Sequence, residues 1–529
     1  MGSVLVDIER RIKEAEWNRY GFILLSALIW GFAAHGFGFF NKSAWGDDIA
    51  SIFWGLGNTY GLGRWMLGVL ERVFFIVFGS NGSNPYINGM GVVLCIGWIA
   101  CMFSDMLDIK DKINLFVMSG VLVSMPVVVG TFAFFFTAFA YFIGTALCVL
   151  AVYLVLGSGR ADKDFVLWKF LVRCFFSVFL ISVGTACYQA NFPVAVSAFV
   201  LALMGKALET KSREEDKSLF RLGLICALLC ILGLLLYLGI NSLFLSQLDI
   251  QMNDHAGMDS YGMTTFSGYL KRFFMSYNFF FRPPRDLYHS LISKIYKGML
   301  LWMTLLLIAE IARAFKERKS KGSLCLFLAL LYPFATCLIF FLSGEAYVLM
   351  FYPYAFVYIL FVYLLKRVSG KETSDRGVYG RYICHFGIAF VFFFAIWFSR
   401  LSEETYFLNS VIQQRLQSYY TALYTRIIST PGYREEYPVC YIHPGVKSAV
   451  NMTVTDNFET MGRNTIPLDD YAWQKFLQDY VGFQPKEVDG EMWDHLETLP
   501  EVVSMPCYPD DGSIRVIEDT VVVKFSNAD

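Results

Sequence analysis

The feature that most constrains this chain is a succession of apolar segments, each about as long as a membrane is thick. About 20 consecutive apolar residues, coiled as an α-helix, cross a hydrocarbon core of about 30 Å. Eleven such segments are expected, at roughly 21–40, 87–104, 113–129, 132–157, 165–186, 189–206, 219–243, 296–315, 323–342, 346–366 and 380–399. Pro126 and Gly130 only punctuate the stretch that holds the third and fourth. The 529 residues are 56% hydrophobic and 17% charged, with a mean hydropathy of +0.48. A soluble domain carries about 25% charged residues, and a single soluble core stops growing near about 250–300 residues. One soluble domain and a disordered chain are both excluded, leaving a polytopic α-helical membrane protein.

The net charge of −1 conceals a split. Residues 401–529 hold 20 Asp and Glu against 9 Lys and Arg, whereas residues 1–400 hold 25 against 35. With the N-terminus in the cytoplasm, 23 basic residues fall in inside segments, among them Arg19, Lys110, Arg318, Lys321, Lys366 and Arg367. Nine fall outside, eight in two long loops and Lys297 just past the end of the second. That is the asymmetry of the positive-inside rule, and eleven spans then carry the C-terminal tail to the outer side. Residues 1–20 read as an amphipathic helix on the inner leaflet, with Val4, Ile8, Ile12 and Ala15 on one face. The first apolar run is too long for a cleaved signal, and Asp7, Glu9, Glu14 and Glu16 precede it.

The expected organisation is therefore a transmembrane body over 21–400 with outer loops at 41–86 and 244–295, followed by an outer domain at 401–529. In the first loop, Asn41-Lys42-Ser43 and Trp45 lead into Asp47-Asp48, and Gly63-Arg64-Trp65 follows. Residues 65–78 are apolar but too short to span, which suits a helix lying in the outer interface. An aspartate pair in a loop is often a helix cap or simply solvated. Alternatively, a carboxylate can act as general base on a sugar hydroxyl, Trp45 and Trp65 can stack on a sugar face, and Arg64 can grip a phosphate with two parallel hydrogen bonds.

In the second loop Phe279-Phe280-Phe281-Arg282-Pro283-Pro284-Arg285 joins apolar residues to Arg282 and Arg285. It suits either a specific lipid phosphate or a loop resting on anionic headgroups. His255 with Asp254 and Asp259 matches no strong metal-ligand spacing, so no metal site is assigned; a divalent cation is compatible but not indicated. Tyr188-Gln189 and Glu345 sit at short outer connections, either lining an outward cavity or as ordinary interfacial residues. Arg173 is a mid-span charge, functional or paired. In the tail, a helix near 404–428 precedes a turn at Pro431-Gly432. A strand at Tyr437–Ile442, a helix at Leu468–Tyr480 and a hairpin at Ser513–Glu518 and Val521–Phe525 form a small α/β domain. Cys440 and Cys507 can pair there if the compartment is oxidising. The acidic balance of the tail argues against nucleic acid or an anionic bilayer as its partner.

The first loop, with Asn41-Lys42-Ser43, Asp47-Asp48 and Gly63-Arg64-Trp65, resembles the bacterial membrane glucosyltransferases of the O-antigen type II family, enzymes of the GT-C class. Tyr188-Gln189-Ala190 is similar as well. The resemblance implies a GT-C-like body in the bacterial inner membrane. It implies a polyprenyl-phosphate-linked sugar donor, glucose by the family, and an envelope glycan such as a surface polysaccharide as acceptor, with inversion at the anomeric carbon. It places catalysis on Asp47 and Asp48, one as base and one positioning substrate, and sets Arg64 against the donor phosphate. Arg282 and Arg285 are added as further cations for the leaving phosphate on charge grounds alone. A transporter or flippase for lipid-linked saccharides, or an assembly subunit, is the alternative. A transporter would show internal repeats and polar residues at mid-membrane, whereas the polar residues here collect in outer loops.

Overall fold

The computed structural model describes residues 16–41, 48–49, 59–79, 84–157, 167–253, 264–283, 290–343, 346–369, 376–444 and 472–527. The helix expected over 1–20 lies outside these residues up to 15, as do Trp45, Asp47, His255, Arg285 and Glu345. The chain divides into two compact units, residues 1–40 with 55–404 and residues 41–54 with 405–529. The first loop is thus shared between them.

The first unit is helical. Its helices are α1 (Glu16–Phe40), α2 (Trp65–Phe78), α3 (Pro85–Met106), α4 (Lys112–Ser124), α5 (Pro126–Phe132), α6 (Phe135–Leu156), α7 (Leu167–Cys187) and α8 (Asn191–Glu209). Then come α9 (Arg213–Leu248), α10 (Phe266–Phe281), α11 (Ser290–Glu317), α12 (Lys319–Thr336), α13 (Leu338–Ser343), α14 (Ala355–Ser369) and α15 (Arg376–Ile428), the last passing into the second unit at Thr405. Local chemistry sets the starts. Asn84 accepts from the Ile87 amide at 3.1 Å ahead of Pro85, Asp111 from Asn114 at 3.0 Å, and Ser212 from Glu215 at 3.2 Å. Each satisfies an amide that the first turn leaves unpaired.

Among the described residues eight helices are long and apolar enough to span a membrane, namely α1, α3, α6, α7, α8, α9, α11 and α15. Counting α4 and α5 as one span bent by 40° makes nine. The protein is a polytopic membrane protein. The stretches expected to form spans at 323–342 and 346–366 are built of shorter pieces. Pro333 lies inside α12, which ends at Thr336, and two 3-10 turns around Pro353 precede the 15-residue α14. Proline removes a backbone donor and crowds the preceding turn, so an apolar run containing it need not be one straight helix.

Packing separates core from lipid-facing helices. Every residue from Phe351 to Leu365 is buried, as a helix apolar all round should be. Leu224, Leu228, Ile231, Leu235 and Leu238 of α9 and Leu301, Leu305 and Ile308 of α11 recur at helical spacing on exposed faces. Such faces suit hydrocarbon rather than water. Small residues bring α6 and α7 together. A Cβ on Gly184 would lie 2.6 Å from Cys148 Sγ and 2.7 Å from the Gly144 carbonyl. Beside them the Asn191 amide donates to the Gly184 carbonyl at 3.0 Å and the Tyr141 carbonyl at 3.2 Å, and accepts from Thr145 at 2.8 Å. Close backbones plus side-chain hydrogen bonds hold membrane helices together where lipid removes the hydrophobic drive.

The basic residues expected on the inner side anchor helix ends. Arg318 forks onto the buried Asp216 at 2.9 and 3.1 Å, Arg367 bonds Glu310 at 3.1 Å and the Leu208 carbonyl at 3.2 Å, and Lys366 reaches the Leu107 carbonyl at 3.2 Å. Arg19 pairs with Asp105, which also accepts from Tyr153 at 2.7 Å. Forked arginine–carboxylate pairs of this kind fix geometry more than they add stability. Arg173 is half-buried on α7.

The second unit joins the end of α15 to a three-stranded sheet of β1 (Val439–Ile442), β2 (Ile514–Ile517) and β3 (Thr520–Lys524), with α16 (Ala472–Phe476), α17 (Gly490–Thr498) and α18 (Pro500–Val503). The order is β1-β3-β2, with β1 parallel and β2 antiparallel to β3. Alternation along the strands splits the core as a period of two requires. Val439, Tyr441, Val521 and Val523 face Leu416, Tyr420 and Leu423 of α15. Cys440, Ile442 and Val522 face Leu496, Val502 and Met505. The hairpin turns at Glu518 and Asp519, both with positive φ of 48° and 55°, one position earlier than expected, because a two-residue turn of this hand needs both central residues in that region. Lys524, though buried, donates to the carbonyls of Val502 and Met505 at 3.1 and 3.0 Å, which caps α18. Cys440 and Cys507 are both free thiols, Cys440 buried within the second layer. The helix expected at Leu468–Tyr480 is described from Ala472, where it gives way after Phe476 to a π-helical turn, Leu477–Val481.

Candidate functional site

Two sequence segments far apart in the chain meet in the first unit. The turn before α2 is closed by Gly63 N–H to the Tyr60 carbonyl at 2.9 Å and Arg64 N–H to the Thr59 carbonyl at 2.8 Å. Gly63 has φ +69°, and a Cβ there would lie 2.8 Å from the Tyr237 hydroxyl and 3.0 Å from Gln189 Nε2. Glycine is needed both for the left-handed backbone and for the close approach. Gln189 donates to the Leu62 carbonyl at 2.6 Å and to Tyr237 at 3.2 Å, and Tyr237 donates to the Gly63 carbonyl at 3.0 Å. Asn253, at the entry to the second loop, donates its amide to the Gly61 carbonyl at 2.8 Å.

This turn delivers Arg64 onto a pair of tyrosines. Tyr141 of α6 and Tyr188 stack with centroids 4.4 Å apart and planes 10° apart. The guanidinium carbon lies 5.1 Å from the Tyr188 ring and 5.7 Å from that of Tyr141, and Nη1 donates to the Tyr141 hydroxyl at 2.8 Å. A cation over two faces and one hydroxyl keeps its charge while losing its rotational freedom. Trp65 is buried against Val183, Ala186 and Tyr237 and stacks on Phe244 at 5.8 Å. It wedges α2 against α7.

Around this turn and the facing part of α9, four buried polar atoms have no hydrogen-bond partner among the described residues: Arg64 Nε, Trp65 Nε1, Gln189 Oε1 and Asn241 Oδ1. Asn241 lies one helical turn beyond Tyr237 on α9, on the same face. Two donors and two acceptors left unsatisfied around one turn need a reason. A narrow crevice lined by Tyr141, Tyr188, Thr145, Asn191 and Tyr352 adjoins the stacked pair.

Arg64, Trp65, Tyr188 and Gln189 are thus brought together. Arg282 is exposed at the end of α10, a helix that packs on α12 and α13. Asp48 belongs to the second unit, where it is fully buried next to Ile49. Tyr141, Tyr237, Asn241 and Asn253 were not singled out by the sequence, because a tyrosine or asparagine near a span end has the same pattern whether it binds or merely packs. Among the described residues no three His, Cys, Asp or Glu side chains gather as a metal ion would require.

No curated protein and no solved structure matches the chain. A family model described as Glucosyl transferase GtrII matches residues 36–365, a stretch that includes both the Arg64 turn and the Tyr188 corner. With more than half its length so matched, and with the two motif segments of that stretch folded onto one another, the chain belongs to the GtrII glucosyl transferase family.

Proposed function

We propose that the protein takes glucose from a polyprenyl-phosphate-linked donor at the outer face of the bacterial inner membrane and passes it to a surface polysaccharide or another envelope glycan. It does so as a GT-C-type enzyme that inverts the anomeric centre. The observation that carries this reading is Arg64, fixed over the Tyr141–Tyr188 stack with its Nε still free to donate, within a glucosyl transferase family match. In the proposed step one of Asp47 and Asp48 accepts the proton of an acceptor hydroxyl, and the other holds the substrate. The hydroxyl oxygen bonds to the anomeric carbon as the bond from that carbon to the phosphate oxygen breaks. Polyprenyl phosphate leaves with the bonding pair as a monoester dianion, a charge that needs a nearby cation, and Arg64 supplies it. Arg282 and Arg285 are further cations proposed for the same lipid. Eleven crossings, with the tail outside, complete the proposed arrangement.

The test is transfer by purified full-length protein from a short-chain polyprenyl-phosphate glucose to an O-antigen polysaccharide. Asp47→Ala and Asp48→Ala are expected to accumulate normally, with at least one losing turnover about 100-fold or more, the scale of a removed general base. Wild-type rates in both would remove the aspartates from the reaction.

A further inference from the structure

Resting on the reading that the protein transfers sugar to an envelope glycan, we propose that the second unit carries a binding site of its own for that glycan. Gln474, Gln478 and Gln484 are its recognition residues. They line a cleft of about 390 Å³, a size typical of small-molecule sites, which span about 300–1,000 Å³. Local chain geometry builds it. After Phe476, α16 passes into the π-helical turn Leu477–Val481. The turn closes with Gly482 N–H to the Gln478 carbonyl at 3.2 Å and Phe483 N–H to the Leu477 carbonyl at 3.1 Å. Gly482, at φ +78°, supplies the left-handed residue that reverses the chain. The returning segment runs beside β1, where Val439 N–H donates to the Lys486 carbonyl at 2.7 Å and Val439 bridges Glu487 in parallel. One wall of the cleft therefore carries Gln474 and Gln478, four positions apart, and the returning segment carries Gln484.

The floor of the cleft is aromatic. Trp473 and Tyr441 meet edge to face with centroids 4.8 Å apart and planes 87° apart, and Phe483 shares their core. Above this floor Gln474 and Gln478 are half-buried and Gln484 is exposed. Lys475 donates to Gln478 Oε1 at 3.1 Å, which leaves the Gln478 N–H groups to serve as donors. The two charged side chains at the cleft, Lys475 and Glu487, have opposite signs. A primary amide both donates and accepts hydrogen bonds, as a sugar hydroxyl does, and the C–H face of a sugar ring suits an aromatic floor. A few neutral polar groups set over an apolar surface fix the orientation of such a ligand. Other ligand classes fit less well. An apolar segment would strip water from three amides without replacing it. An anion would meet Glu487 as well as Lys475. A peptide adding a strand needs an open sheet edge, whereas the outer side of β1 is already occupied at Val439.

Gln474→Ala and Gln484→Ala each remove one amide and leave the aromatic floor intact. Full-length protein in detergent, without donor, is dialysed to equilibrium against fluorescently end-labelled O-antigen polysaccharide. The wild type is expected to bind it, and the double variant Q474A/Q484A to bind about tenfold more weakly, the scale of two neutral hydrogen bonds. In the transfer assay the double variant is expected to raise the acceptor KM about tenfold and leave kcat and the donor KM within about twofold. That split is the mark of lost binding shared by ground state and transition state. A wild type that binds no polysaccharide, equal affinity in the double variant, or a fall in kcat at unchanged acceptor KM would each overturn the site. If the double variant does not fold, Gln484→Ala alone, at an exposed position, carries the same test with a loss of about threefold. A wild type that binds the polysaccharide through these glutamines yet transfers no glucose would instead overturn the transfer reading and leave the glycan site standing.

Discussion

Arg64 shows how much one side chain depends on its setting. Its Nη1 bond to Tyr141 spans 77 positions of sequence, and its two ring contacts leave Nε as a buried donor without a partner among the described residues. Lysine would keep the charge but neither the planar stack nor the fork. Arg64→Lys is therefore expected to raise the donor KM about tenfold, the scale of a hydrogen bond to a charged group, and Arg64→Ala more. A rise in the acceptor KM with an unchanged donor KM would take Arg64 away from the phosphate. At this scale the sequence was informative where residue type alone limits chemistry: Gly63, Arg64 and Gln189 stand out from it. It was silent on Tyr141 and Asn241, whose significance comes only from what they face.

Among the elements, the join between α6 and α7 carries the Tyr141–Tyr188 pair, so its precision limits the site. Gly184 has no room for a side chain against Cys148 and Gly144. Gly184→Val is expected to abolish the folded protein in a detergent size-exclusion assay. By contrast Gly223→Ala, whose new Cβ would meet only Leu203 Cδ1 at 3.8 Å, is expected to be tolerated. A folded and active Gly184→Val would show that these helices can separate without cost. Element boundaries were legible where capping chemistry and hydropathy agree, as at Asn84-Pro85 and Ser212. They were not legible at 323–366, where apolar residues run on through Pro333 and Pro353. Hydropathy reports the solvent a segment prefers and not whether its backbone stays straight.

For the molecule as a whole, the charge asymmetry makes a two-sided prediction. An impermeant thiol reagent applied to sealed inner-membrane vesicles of known orientation should label a cysteine at Lys217 from the cytoplasmic side and one at Ser504 from the opposite side, in a Cys507→Ser background. Both positions are exposed. Labelling of both from one side would overturn the proposed topology. The sequence by itself determined that this is a polytopic helical membrane protein, which ends of the helices are basic, and which two short segments carry the family motifs. Each of these is a local sum, over about 20 residues of hydropathy or a handful of residue identities, and needs no knowledge of neighbours. Only the tertiary structure decided that Gln189 closes on Leu62 across 127 positions, that the first loop is shared between two units, and that Ile49 beside Asp48 is held in a core built from the far end of the chain. Those outcomes depend on which surfaces fit and which polar groups find partners once the helices pack, and close packing between distant segments leaves no periodic mark on either of them.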